Sequence, residues 1–317
     1  MADLVAKATQ RVAEADQILI EHPRVREANE TFDRMRAYAA QRTGRGTTGF
    51  LMVAPPQTGK STIIHAYSRK LNTEQAFCEG RIPALVVTLQ ANQTRKGLAQ
   101  DILKGFEKHE LETGWKSGTE ATLLDRAQTY IRHKRTEIVF LDEFHHLVHS
   151  DNKSVASSVA ETIKWLLIEA VVPVVMSGIE DAWKPIRANA QLAMRCEKPL
   201  EMKKLDVTDA TDRKLFGGFL ARYLVEFETR RIASNATRLL QVPGIPDMIQ
   251  EVSGGVLGRA CNLIKEALFL AVLDGRGEID VSDLAVATER KFVSMGILDR
   301  NPFTEGQAPV SPSRRAA

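Results

Sequence analysis

The chain has 317 residues, with 43 Lys and Arg against 40 Asp and Glu, and 44% hydrophobic but only 6% aromatic residues. That length suggests about two domains with ample chain for a core, and the 26% charged fraction, with no apolar run near the roughly 20 residues that cross a bilayer, argues against a membrane protein. A formal charge of +3 permits contact with polyanions without establishing it, and three widely spaced cysteines, Cys78, Cys196 and Cys261, argue against a disulfide framework.

The N-terminal stretch MADLVAKATQRVAEADQ carries regular acidic residues and no apolar segment of the signal-peptide kind, so the expected compartment is the cytoplasm. To about Ala40 the pattern is helical, broken at His22-Pro23, with apolar residues scattered among charges; residues 1–42 are expected to form a partly exposed helical appendage. After the breaker TGRGTTG at 43–49, short runs rich in β-branched residues begin: FLMVA at 50–54, PALVVTL at 83–89, EIVFLDEF at 137–144 and PVVMSG at 173–178. Helical stretches at 60–71, 94–108 and 119–133 separate them, and a last short strand is expected at 198–202. Buried strands alternating with helices imply an α/β domain over 43–205, a parallel sheet covered on both faces. From 206 to 296 only helical periodicity remains, which predicts a small α-helical lid domain. The last stretch, 297–317, is rich in Pro, Ser and small residues and is expected to be disordered.

APPQTGKST at 54–62 follows an apolar strand and opens a helix, the setting that a phosphate-binding loop requires. Pro56, Gln57, Thr58 and Gly59 would form the cradle, with Gly59 letting backbone N–H groups approach the phosphates. Lys60 would reach the β- and γ-phosphates, the Ser61 hydroxyl would ligate Mg²⁺, and Thr62 would complete the nucleotide-binding loop. The first Gly of the usual pattern is Ala54 here. Asp142 and Glu143 end a buried strand, where open α/β sheets bind ligands. Asp142 would hold Mg²⁺ through its water shell, and Glu143 would polarise the water that attacks the γ-phosphate. The separation of about 80 residues between the two motifs leaves room for an extra strand, 83–89, between the motif strands. DNKSV at 151–155 lacks the Asp of a guanine-reading NKxD segment, so ATP is favoured.

His145, His146 and His149 cluster beside these acids. Since nucleotide chemistry already uses the acids, packing or contact with a neighbouring subunit is the expectation rather than a metal centre. Ser177, at the end of the next strand, could contact the attacking water or γ-phosphate, or be an ordinary strand-to-loop serine. Arg195, with Arg187 as its competitor, could project into a neighbouring subunit's ATP. Arg259 follows a Gly-rich turn just inside a helix, placed to sense the γ-phosphate from the lid or to remain a surface arginine.

With these parts in order the chain resembles the AAA+ ATPases of the ASCE P-loop class, and more closely the TniB/TnsC group of transposition regulators. EHPRVREANETFDRMR, APPQTGKST, FLDEFHHL, SGIEDAW, QLAMR and GVLGRACNLIKEA carry the resemblance, which spans most of residues 20–290. In that pattern Ser177 corresponds to the first sensor, Arg195 to the arginine finger and Arg259 to the second sensor. The resemblance implies ATP-bound subunits that assemble as rings or helical filaments on double-stranded DNA, recruit a TniA-like DDE transposase together with a TniQ-like adaptor, and disassemble on hydrolysis. It also implies that the segment after strand 83–89 lines a central channel. Arg95 and Lys96 begin a helix there, Lys104 and Lys108 follow at later turns, and Lys116 sits in the next loop. Asp101, Glu107, Glu110 and Glu112 share the stretch, so a solvated helix face stays open beside sequence-independent phosphate contact. A second basic concentration at 184–238 could serve subunit packing. Two other classes share the nucleotide site: a helicase-loader or IstB-like ATPase, and a nucleotide-dependent scaffold that does not hydrolyse.

Overall fold

The computed structural model describes residues 2–41, 46–90, 94–109, 112–148, 153–169 and 172–304. His149, Glu110, the start of DNKSV, the 42–45 part of the breaker region and the tail beyond 304 lie outside the described residues. In chain order the elements are α1 (Ala2–Asp16), α2 (Pro23–Gln41), β1 (Gly49–Val53), α3 (Lys60–Leu71), α4 (Glu74–Cys78), β2 (Ala84–Thr88), α5 (Arg95–Glu107), α6 (Glu120–His133), β3 (Ile138–Asp142), α7 (Lys153–Ile168) and β4 (Val174–Gly178). They continue with α8 (Trp183–Ala188), α9 (Ala190–Ala193), β5 (Leu200–Glu201), α10 (Ala210–Thr229), α11 (Ile245–Ser253), α12 (Leu257–Leu273) and α13 (Val281–Thr288). A 3₁₀ turn, Phe144–Val148, follows β3 directly.

Chain contacts divide into two units: Pro23–Lys203, and Met1–His22 together with the chain from Lys204 onward. In the first, the five strands are parallel in the order β2-β3-β4-β1-β5, with Val53 beside Gly178 and Thr88 beside Asp142. The strand between the phosphate-loop strand β1 and the acid-bearing strand β3 is therefore β4, while the stretch expected in that place, 83–89, forms the edge strand β2. Spacing along the chain limits how many strands can intervene, but their order in space is set by which helices cover which face.

Alternation of side chains across the sheet builds two cores. Leu51, Val53, Val139, Leu141, Val174 and Met176 face α5, α6 and α7. Phe50, Met52, Ile138, Phe140 and Val175 face α2 and α3. By the same alternation Asp142 and Ser177 lie on the α3 face.

The α2 part of the stretch expected to form an appendage instead packs on the sheet. Val25, Ala28, Phe32 and Met35 of α2 recur at helical spacing and are at most 2% exposed, packed on the sheet with Ile63, Ile64 and Tyr67 of α3. Phe32 sits edge-on to Phe50, Tyr67 and Phe140, with ring centroids 5.9, 4.9 and 5.1 Å away. Around that seam Tyr67 donates to Asp33 at 2.6 Å, and Arg36 pairs with both Asp33 and Glu137. The stripe is only four residues wide in a charged helix, which is why it reads as exposed in sequence. Phe32→Ala is expected to cost about 3–5 kcal/mol, read as a lowered denaturant midpoint. A loss within the ±0.5 kcal/mol of a surface change would show that α2 is peripheral.

The second unit is helical. α1 buries Ala8 and Ala15 and packs along α12, while Leu220, Leu224 and Phe227 of α10 share one core with Leu263, Ile264 and Ala267 of α12. The first part of the stretch expected to be disordered packs here too: Phe303 is buried, and Asn301 donates to the Ala285 carbonyl at 2.8 Å. One aromatic and one amide suffice to dock residues 301–304, a signal that average composition conceals.

Candidate functional site

The loop between β1 and α3 turns back on itself to start a helix. Gly59 caps α3 with φ of 92°, a left-handed conformation that a side chain would strain, so the helix begins at Lys60 with its first N–H groups directed at the loop. Ala54, in place of the usual glycine, is 2% exposed, packs in the α2–α3 core and keeps a negative φ; its N–H donates to the Gly178 carbonyl at 3.1 Å. The left-handed turn falls instead on Gln57, with φ of 63°. The methyl at 54 thus fits without distortion.

Lys60 is 7% exposed. Its ammonium donates to the carbonyls of Ala54 at 2.7 Å and Pro55 at 3.0 Å, and the Thr58 hydroxyl also donates to Pro55, at 2.7 Å. Burial pulls the Lys60 pKa below the ordinary lysine value, and the carboxylates of Glu143 and Asp142 oppose that shift. Those acids stand at the end of β3. Asp142 is 4% exposed and accepts from the Glu143 N–H at 3.0 Å. Glu143 takes a left-handed φ of 57° as the strand breaks into the 3₁₀ turn, and its carboxylate is half-exposed. A cleft of about 330 Å³ is lined by residues 56–62 together with Glu143, His145 and Ile179.

Ser177, at the end of β4, is fully buried and its hydroxyl has no hydrogen-bond partner among the described residues. Arg195 is half-buried, with one guanidinium nitrogen 3.0 Å from where a side chain on Gly46 would begin. Arg187 is exposed and lies 5.2 Å over the Trp183 ring. Arg259 stands in the first turn of α12, in the helical unit.

The basic residues of α5 and its following loop divide. Arg95 pairs with Glu120 of α6 at 3.4 Å, and Lys104 pairs with Asp101 at 3.2 Å while lying 4.2 Å over the Trp115 ring. Lys116 approaches the same ring at 5.7 Å, and both Lys96 and Lys116 are exposed. The loop is held by contacts that sequence reasoning missed. Glu107 accepts from the Trp115 indole at 2.7 Å and the Thr113 hydroxyl at 3.0 Å, and Arg126 donates to the Gly114 carbonyl at 2.5 Å. Glu107, an acid that in sequence suits a solvated face, is engaged in fixing the loop.

Glu143, His145 and His146, by contrast, come together. The His145 Nε2 is 3.4 Å and the His146 Nε2 3.9 Å from the same Glu143 carboxylate oxygen, and the two imidazole rings lie 4.4 Å apart.

The protein family described as "Bacterial TniB protein" matches residues 11–205 of the chain. Among solved structures, the ORC2 protein of Aeropyrum pernix in its ADP form is 16% identical with a TM-score of 0.60, over 89% of this chain and 72% of that one. Cdc6p from Pyrobaculum aerophilum is 11% identical with a TM-score of 0.56, over 86% and 68% of the two chains. The A. pernix ORC1 protein in complex with DNA is 15% identical with a TM-score of 0.54, over 86% and 66%. At these identities the likeness is one of fold, the AAA+ parallel sheet with a helical C-terminal region. No curated protein matches the sequence significantly. No described helix is long and apolar enough to cross a membrane.

Proposed function

The chain belongs to the bacterial TniB family, and from that premise we propose that it is an ATP-hydrolysing, DNA-binding regulator of transposition. In this reading copies of the chain assemble on double-stranded target DNA as a ring or helical filament, recruit a TniA-like DDE transposase and a TniQ-like adaptor, and come apart after hydrolysis. The observation that carries it is the cleft in which a buried lysine at a glycine-capped helix start shares its field with two carboxylates at a strand end.

Each side chain has a task there. The backbone of Pro56, Gln57, Thr58 and Gly59 wraps the phosphates, Thr62 extends the α3 start, and Lys60 turns its ammonium from the Ala54 and Pro55 carbonyls to the β- and γ-oxygens. Ser61 and Asp142 offer a hydroxyl and a carboxylate, the hard oxygen donors that suit Mg²⁺. When bound, that ion supplies charge neutralisation at the phosphates. Glu143 accepts a proton from the attacking water, and the orphaned Ser177 hydroxyl supports a role as a buried sensor at the strand end. Arg195, or the exposed Arg187, completes the site of a neighbouring copy, and Arg259 reports from the helical unit.

For DNA, Lys96 and Lys116 are exposed, as is Lys108 at the end of α5, and Arg95 and Lys104 would join them by exchanging Glu120 and Asp101 for phosphates. The fold relative seen in complex with DNA supports this reading. Contacts of this kind read no sequence and weaken steeply with salt. Electron microscopy of the protein with Mg²⁺, duplex DNA and a slowly hydrolysed ATP analogue is expected to show rings or filaments that vanish when ADP replaces the analogue. Dispersed single copies under both conditions would refute the assembly.

A further inference from the structure

We propose that His145 is a positioning residue for Glu143, setting where its carboxylate points, and that Gly178 lacks a side chain so that His145 can sit there. The inference rests on the reading of Glu143 as the water-polarising base.

Glu143 has left the strand in a left-handed conformation, so the ladder no longer orients it, and its side chain is 39% exposed. A flexible carboxylate at a cleft mouth samples several rotamers, and rate depends steeply on holding a base within a fraction of an ångström of its productive place. The two imidazoles supply the missing restraint. His145 is the inner one, its side chain 10% exposed, with Nε2 at 3.4 Å from the Glu143 Oε2; His146 is outer, at 3.9 Å from the same oxygen and 31% exposed. Contact between the tilted rings, with centroids 4.4 Å apart, ties the pair into one block.

The block is seated on β4. A Cβ on Gly178 would lie 3.2 Å from the His145 backbone nitrogen, 3.4 Å from its Nδ1 and 3.0 Å from the Ala182 Cβ. A side chain at 178 would therefore require the start of the 3₁₀ turn or Ala182 to give by a few tenths of an ångström, and with the turn would shift the imidazole that meets Glu143. The 3₁₀ turn and the end of β4 thus behave as one mechanical piece, adjoining the buried Ser177.

The test is steady-state ATP turnover by the full chain, with nucleotide affinity measured separately by calorimetry. His145→Ala is expected to lower kcat by roughly ten- to a hundred-fold with KM and ATP affinity nearly unchanged, the signature of a transition-state effect. His145→Gln, which keeps a nitrogen donor near the Nε2 position, is expected to recover most of the loss. Gly178→Ala is expected to lower kcat similarly, and in a His145→Ala background to add little, since both act through one contact. Equal falls in kcat and ATP affinity, or a His145→Gln variant as poor as His145→Ala, would reduce His145 to packing and overturn the inference. A Glu143→Gln variant separates the two levels. If it abolishes turnover while His145→Ala leaves kcat at the wild-type level, only the positioning role fails; if it leaves turnover intact, the assignment of Glu143 fails and this inference with it.

Discussion

Glu143→Gln is expected to lower ATP turnover by about 10²–10⁴-fold, the usual contribution of a general base, while ATP affinity and ATP-dependent assembly persist. The amide is isosteric with the carboxylate but does not accept a proton. It also preserves the side chain's place at the 56–62 cleft, so loop geometry is undisturbed. Removing a negative charge beside Lys60 further favours binding of a polyanion, because Glu143 is one of the two carboxylates acting on that ammonium. The assay is phosphate release alongside analytical ultracentrifugation with ATP and DNA. Turnover close to wild type would exclude Glu143 as the base, and a wild-type chain with negligible turnover but intact assembly would favour the non-hydrolysing scaffold.

Lys60→Met is expected to abolish ATP binding at concentrations that saturate the wild type. Loss of a charge-assisted contact to phosphate costs about 2–5 kcal/mol, a fall in affinity of roughly 30- to several-thousand-fold. Without nucleotide the same variant is expected to be nearly as stable as the wild type. Burial works against the ammonium, as its lowered pKa reflects, and its removal relieves that cost; against this stands the loss of two hydrogen bonds to the Ala54 and Pro55 carbonyls. Met retains the apolar stem that packs in the loop. Thermal unfolding with and without Mg-ATP reads both effects: the wild type rises in Tm by mass action and the variant does not. A variant that still gains stability from ATP would remove the loop from nucleotide binding.

Much of the α/β unit is legible from residues because its signals are local. Apolar runs of five to seven residues closed by turn formers place β1 to β4 within about two residues, and APPQTGKST with the later DE identifies both halves of the cleft. Where the local pattern misleads, the deciding contact is remote in sequence. α2 looked exposed because a four-residue stripe carries its burial, and the partners of that stripe, Phe50, Tyr67 and Phe140, become visible only once the sheet has formed. α1 joins the helical unit through alanines, which announce little in a pattern count yet allow close approach to α12. The tail through Phe303 is held by one ring and one asparagine.

The histidines show the same division most plainly. Residue type and spacing suffice to place a lysine at a helix start and acids at a strand end, because helix termini and strand ends carry their chemistry with them. That His145 meets Glu143 and packs closely on the bare backbone at residue 178, thirty-three positions further on, depends on two strands lying side by side in the sheet. Strand order, the seating of the 3₁₀ turn and the sharing of Glu107 between Thr113 and Trp115 are products of packing, in which burial summed over many distant neighbours outweighs any local preference.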